Sequence, residues 1–155
     1  MELLPLALAV PVLVWIAWTD FRLMRIRNDA VLLTVAIFVF TAPMMGWPEA
    51  GWRLLAALAV FLVGFGLFAV RAMGGGDVRM AAALMLLVPT GTYTLFGYVF
   101  ALATLLALAA ILSLRAVPTL RRSGPVSLRA RGTFPMGLAF GLGGVMHLGL
   151  LAALT

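Results

Sequence analysis

The chain has 155 residues, 65 % hydrophobic and 10 % charged, and its net charge of +6 comes from eleven arginines, no lysine and five acids. Its mean hydropathy of +1.16 excludes a soluble globular domain, since soluble domains run at about 45–50 % apolar residues. The lack of cysteine removes disulfides, thiol nucleophiles and thiolate metal sites, and the single histidine, His147, removes a multi-histidine metal centre.

A helix needs about 20 apolar residues to cross the hydrocarbon core. Read in chain order, the apolar runs predict an all-α polytopic membrane protein with six transmembrane helices in one membrane-embedded domain over residues 1–155. The first span is Leu3 to Thr19; with Glu2 before it and no basic leader, it reads as retained rather than as a cleaved signal peptide. The second is Ala30 to Trp47 and the third Arg53 to Met73. A short fourth follows from Met80 to Val88, with an extension toward Phe96 through "VPTGTY". The fifth is Tyr93 to Leu114 and the sixth Phe134 to Leu154. Between the last two lies "RAVPTLRRSGPVSLRARGT", read as a mobile loop near anionic headgroups.

The arginines lie between apolar runs, so they report topology rather than nucleic-acid binding. With six spans, Arg22, Arg25, Arg27, Arg71, Arg79, Arg115, Arg121, Arg122, Arg129 and Arg131 share one side, and only Arg53 falls on the other. That bias places those loops in the cytoplasm and both termini outside. Five spans would move the five arginines of residues 115–131 outside. Trp15 and Trp18 then mark the cytoplasmic interface, and Trp47 and Trp52 the outer one.

Three of the five acids have simple explanations: Glu2 is near a terminus, Glu49 is in a short outer loop, and Asp29 sits at an expected N-cap of the second helix. Asp20 and Asp77 each follow an odd-numbered span, so they share one depth and one side. Acids beside a membrane-embedded face are costly and mark function. Two carboxylates at one level can share a proton, one taking a proton from water while the other polarises a carbonyl. In "GGGD", Gly74 and Gly76 permit a close backbone approach beside Asp77. Gly137, Gly141 and Gly144 form a small-residue stripe that favours helix packing.

Three segments carry a resemblance to the type IV prepilin peptidase family, membrane aspartic proteases that include the short Flp-pilus (Tad-type) enzymes. "DFRLMRIRN" resembles the family's Asp-x-Arg and Ile-Pro-Asn pattern at Asp20, Arg22, Ile26 and Asn28, with Arg27 at the usual proline. "GGGDVR" is similar to Gly-x-Gly-Asp-x-Lys, with Arg79 in place of lysine. "FPMGLAFG" is similar to the closing Pro-aromatic-Gly segment, at Pro135 and Gly137, with Met136 replacing the aromatic residue.

The resemblance implies that Asp20 and Asp77 are catalytic, with Arg22, Asn28, Gly74, Gly76, Arg79, Pro135 and Gly137 as supporting or substrate-binding residues. It implies cleavage of a prepilin leader at the cytoplasmic face of a bacterial inner membrane. Larger members carry an insert with Cys-x-x-Cys pairs and methylate the new N-terminus; here that loop is about ten residues, so no soluble methyltransferase domain is expected. No metal, cofactor or nucleic-acid partner is implied, and whether the enzyme is a homodimer stays open. The alternatives are a small proton-coupled transporter using both aspartates as relay groups, a presenilin-like protease, and a non-catalytic assembly subunit.

Overall fold

The structure, a computed structural model, describes residues 2–130 and 132–154. Arg131 and the side chain of Arg121, two of the loop arginines above, lie outside what is described. Among the described residues every regular element is a helix. The helices are α1 (Leu4–Leu23), α2 (Asn28–Met45), α3 (Trp47–Ala69), α4 (Gly75–Met85), α5 (Tyr93–Arg115), α6 (Pro118–Ser123), α7 (Val126–Arg129) and α8 (Met136–Leu154). A single 3-10 turn, Thr90–Thr92, precedes α5.

Five of these segments, α1, α2, α3, the turn with α5, and α8, are long and apolar enough to cross a membrane. The expected fourth span differs: α4 has only 11 residues, about 16 Å of helix. It also begins at Gly75, five residues before the apolar run at Met80, so the glycines and Asp77 lie in a helical first turn rather than a loop. Similar shifts occur elsewhere. α1 continues through Asp20 to Leu23, and α3 starts at Trp47 rather than Arg53, with Pro48 and Glu49 in its first turn. Hydropathy places a span's end near a charge at its margin, whereas the backbone hydrogen bonds continue past it. Asp29 lies inside the first turn of α2 rather than at its N-cap, which is Arg27. The expected featureless loop after α5 holds α6 and α7, and Arg115 pins it by donating to the backbone oxygens of Ser127 (3.0 Å from Nε) and Thr133 (2.7 Å from Nη2).

α8 packs along α1 and α5, and α4 lies against α3. A Cβ on Gly141 would meet Ala17 Cβ at 2.7 Å and Leu13 O at 2.8 Å; one on Gly144 would meet Leu13 Cδ1 at 2.5 Å. The stripe read from sequence is therefore a packing surface, the kind that drives helix association where lipid is as apolar as the side chains. On α4, Val78 fills the space over Gly64 of α3 in the same way, 2.9 Å from where a Cβ would be.

The end of the bundle away from Asp20 is held by Arg53. It is completely buried, and its Nε donates to Glu49 Oε1 (2.7 Å). Its Nη1 and Nη2 donate to Leu87 O and Glu2 O, each at 3.1 Å. Glu49 accepts in turn from the Thr90 N–H (3.0 Å) and hydroxyl (2.6 Å). Glu49 is thus part of a buried network, not an outer loop. Residues 75–90 run the length of α3, from Gly75 beside Phe68 to Leu87 and Thr90 beside Arg53 and Glu49.

Removing one member of a buried ion pair strands the other, at about 3–5 kcal/mol. Arg53→Ala is accordingly expected to lower the unfolding free energy in detergent by that amount. Arg27→Ala, which breaks an exposed pair with Asp29, is expected to leave the denaturant midpoint unchanged.

Candidate functional site

The ends of α1, α2, α4 and α8 meet around one cavity of about 830 Å³. Asp20, Asp77, Asn28, Gly74, Gly76 and Arg79 all line it, together with Met24, Arg25, Ile26, Arg27, Asp29, Thr133, Phe134 and Met136. Residues more than fifty positions apart are thus brought to one place.

Asp20 stands in the last turn of α1 and is buried, with 4 % of its surface exposed. α1 ends just beyond it because Met24 turns left-handed (φ 53°) and its N–H bonds back to the Asp20 carbonyl. The Asp20 side chain accepts a 2.7 Å hydrogen bond at Oδ2 from the Gly137 N–H. That N–H belongs to the first turn of α8, where backbone donors lack helical partners and the helix dipole favours negative charge. Gly137 is also sterically required: a Cβ there would lie 2.5 Å from Asp20 Cβ and 2.9 Å from Oδ2.

Asp77 is the third residue of α4, after the N-cap Gly74. Its carboxylate bonds back to the Gly74 N–H, which is the acidic half of a capping box. A Cβ on Gly74 would crowd Asp77 Oδ2 at 2.7 Å, and one on Gly76 would press on Ile26 at 3.3 Å. Gly74 has an ordinary φ of −73°, so these glycines serve close approach rather than an unusual backbone. The Asp77 pKa is pushed up to about 6, chiefly by burial and further by the charge of Asp20, against the lowering effect of the Gly74 N–H.

Arg79 lies one turn along α4. Its Nε donates to Gly75 O (2.9 Å) and its Nη1 to Asn28 Oδ1 (2.7 Å), so it ties the α1–α2 loop to the start of α4. Arg27 is bound bidentately by Asp29. Among the described residues, neither Asp20 nor Asp77 is ion-paired.

Three expected supporting residues fall outside the cavity wall: Gly137, whose N–H reaches Asp20, Arg22 and Pro135. Arg22 is exposed and lies over Trp18, 5.0 Å from the ring centroid, on another face of α1. Pro135 is buried just before α8 and shapes the start of that helix. Sequence reasoning missed the Gly137 N–H as the partner of Asp20, although "FPMG" at a helix start announces free amide donors. His147, buried in α8, hydrogen-bonds Thr92 at 3.0 Å and packs on Phe96, away from both acids. Among the described residues no three His, Cys, Asp or Glu side chains gather as a metal site.

Fold and site together define a helical membrane protein with two unpaired carboxylates facing one cavity. A family model described as type IV leader peptidase matches residues 7–114, taking in both Asp20 and Asp77. The chain belongs to that family. Neither a curated protein nor a solved structure matches it.

Two outcomes test this geometry. Gly137→Ala overpacks the α1–α8 contact and is expected to destabilise the protein by about 1–3 kcal/mol. Gly149→Ala in the same helix, where a Cβ meets nothing within 4 Å, is expected to be neutral or stabilising by up to about 1 kcal/mol; thermal unfolding in detergent reads both.

The second concerns Asp77. Its folded-state pKa is raised, so the folded protein binds the proton more tightly than the unfolded chain. The contribution of Asp77 to stability is therefore fully present at low pH and is lost as pH rises through about 6. Asp77→Asn is expected to remove that dependence. Asp20→Asn is expected to move the infrared carboxyl titration of Asp77 downward; an unchanged midpoint would show that the two acids do not interact.

Proposed function

We propose that this chain is an aspartic endopeptidase that removes the leader peptide from type IV prepilins of the Flp class. The observation that carries this reading is the shared cavity: Asp20 and Asp77 face it from two helix ends, and neither is ion-paired among the described residues. Family membership supplies the peptidase class, and the two carboxylates supply a way to do the chemistry.

In the proposed mechanism the pair holds one proton. The ionised carboxylate takes a proton from water, whose oxygen attacks the scissile carbonyl, while the protonated partner donates to the carbonyl oxygen. As the tetrahedral intermediate collapses, the carboxyl that took the proton from water gives it to the leaving nitrogen, and the other carboxylate recovers its proton from the hydroxyl of the intermediate. The two acids titrate as a unit. The Gly137 N–H orients Asp20, the Gly74 N–H orients Asp77, and the Arg79–Asn28 bond holds the two acid-bearing segments in register. The scissile segment binds unwound, because a helix keeps its carbonyls in its own hydrogen bonds.

The same proposal takes the chain to cross a bacterial inner membrane six times, with both termini outside and the cavity facing the cytoplasm. Arginine distribution supports the orientation. The fourth pass is made by the apolar run from Met80 to Thr90, which reaches the Arg53 end as a short helix and a buried turn. Both acids at one end of the bundle suit a protease better than a proton relay, which needs groups along a through-path.

The test is cleavage of a co-expressed Flp-type prepilin, read by gel shift and N-terminal sequencing. Wild type is expected to trim the leader, while Asp20→Asn and Asp77→Asn insert normally and lose activity by at least about a hundredfold, the scale of a lost general acid or base. Cleavage at the same site by both variants would refute the dyad.

A further inference from the structure

Two apolar grooves among the described residues are open to lipid, and they differ in their relation to the acid cavity. The larger, about 520 Å³, lies between α1, α5 and α8 and includes Val14, Ala17, Leu106 and Gly141. The smaller, about 280 Å³, lies between α2, α3 and α4 and includes Ala57, Leu58, Phe61, Ala82 and Arg79. Only the second shares a wall residue with the acid cavity, and that residue is Arg79. The first is cut off from the acids by the close packing of Gly137 on Asp20 and of Gly141 on Ala17.

From this we infer that the α2–α3–α4 groove is the docking site for the apolar helix of the substrate. The inference rests on the peptidase reading above and adds the path by which the substrate leaves the site. The family resemblance implies a cut just before the hydrophobic segment of the prepilin, so the chain must pass from a polar cavity straight into lipid. Arg79 stands at that passage, with the acids on one side of it and the groove on the other. From Arg79 to Leu86 the groove follows α4 for about 10 Å, two turns of a partner helix. Its floor contains Ala57, Ala82 and Ala83, small residues that let a helix backbone come close. Its α3 wall is open, with Leu58 51 % and Phe61 38 % exposed. An acyl chain would also fit the apolar part, but nothing about it would require the connection to the acid cavity.

The chain contains no cysteine, so single introduced cysteines report position cleanly. In an Asp77→Asn background that lets complex accumulate, Leu58→Cys is expected to form a disulfide with a prepilin bearing one cysteine in the first two turns of its apolar helix. Leu106→Cys, in the other groove, is expected not to. Crosslinking from Leu106, from neither position, or from Leu58 only to a second copy of the enzyme would overturn the assignment. In the active enzyme, Leu58→Trp is expected to raise KM for full-length prepilin about tenfold, while Leu106→Trp leaves it within about twofold; equal effects would count against the groove. Wild-type enzyme that leaves prepilin uncut would defeat the peptidase reading instead, and the crosslink, which needs no turnover, would still report the groove.

Discussion

Lipid gives two helices no hydrophobic reason to meet, so association depends on close contact and on polar groups that have nowhere else to go. In this chain that requirement is met most tightly where α8 crosses α1. Gly137, Gly141 and Gly144 leave no room for a side chain against Asp20, Ala17 and Leu13. The same approach brings a partnerless amide of α8 onto the Asp20 carboxylate. A larger residue at Gly137 would separate the helices and remove the donor together. Packing and chemistry are thus coupled at one backbone position, and the location of Asp20 follows from helix association rather than from a loop.

Asp77 is placed by a different device. α4 is too short to be positioned by the bilayer alone, and it is held at both ends instead. Near the cavity, Arg79 joins it to Asn28. At the far end, buried Arg53 holds Leu87 and the N-terminal segment, while Glu49 holds Thr90. Between those ties, Val78 seats over Gly64 of α3. A guanidinium suits the far clamp because its planar fork can serve three acceptors on separate segments at once, which an ammonium point charge does less well. The fourth segment therefore has a fixed height although much of it is not regular helix.

Asp20 and Asp77 were legible in the sequence because an acid at the margin of an apolar run is conspicuous and because two of them recur at matched positions. The helical class was legible for the same reason: hydropathy is a one-dimensional signal and needs no partner. What escaped depended on partners or on helix phase. Arg22 and Arg25 look alike in sequence, yet two or five residues past Asp20 put one over Trp18 and the other at the cavity. The Gly137 donor is 117 positions from its acceptor. Arg53 read as the edge of a span because charge usually is one, whereas three hydrogen-bonding partners from different segments make it an interior residue.

The rim of the cavity raises a question that charge counting answers wrongly. Arg25, Arg27 and Arg79 line a site with three carboxylates, and an adjacent guanidinium normally strips the proton from an acid. Two of those cations are committed elsewhere. Arg27 is turned to Asp29 at 2.6 Å, and Arg79 is turned to Asn28 and to the carbonyl of Gly75. Asp77 is left to burial and to the charge of Asp20, and both act to keep its proton. Asp29, which has no place in the proposed chemistry, thus occupies one arginine of the cavity wall. Asn28 acts in the same way on Arg79, being a neutral acceptor that satisfies a guanidinium without adding charge. A basic rim can then surround the cavity without neutralising the two acids behind it.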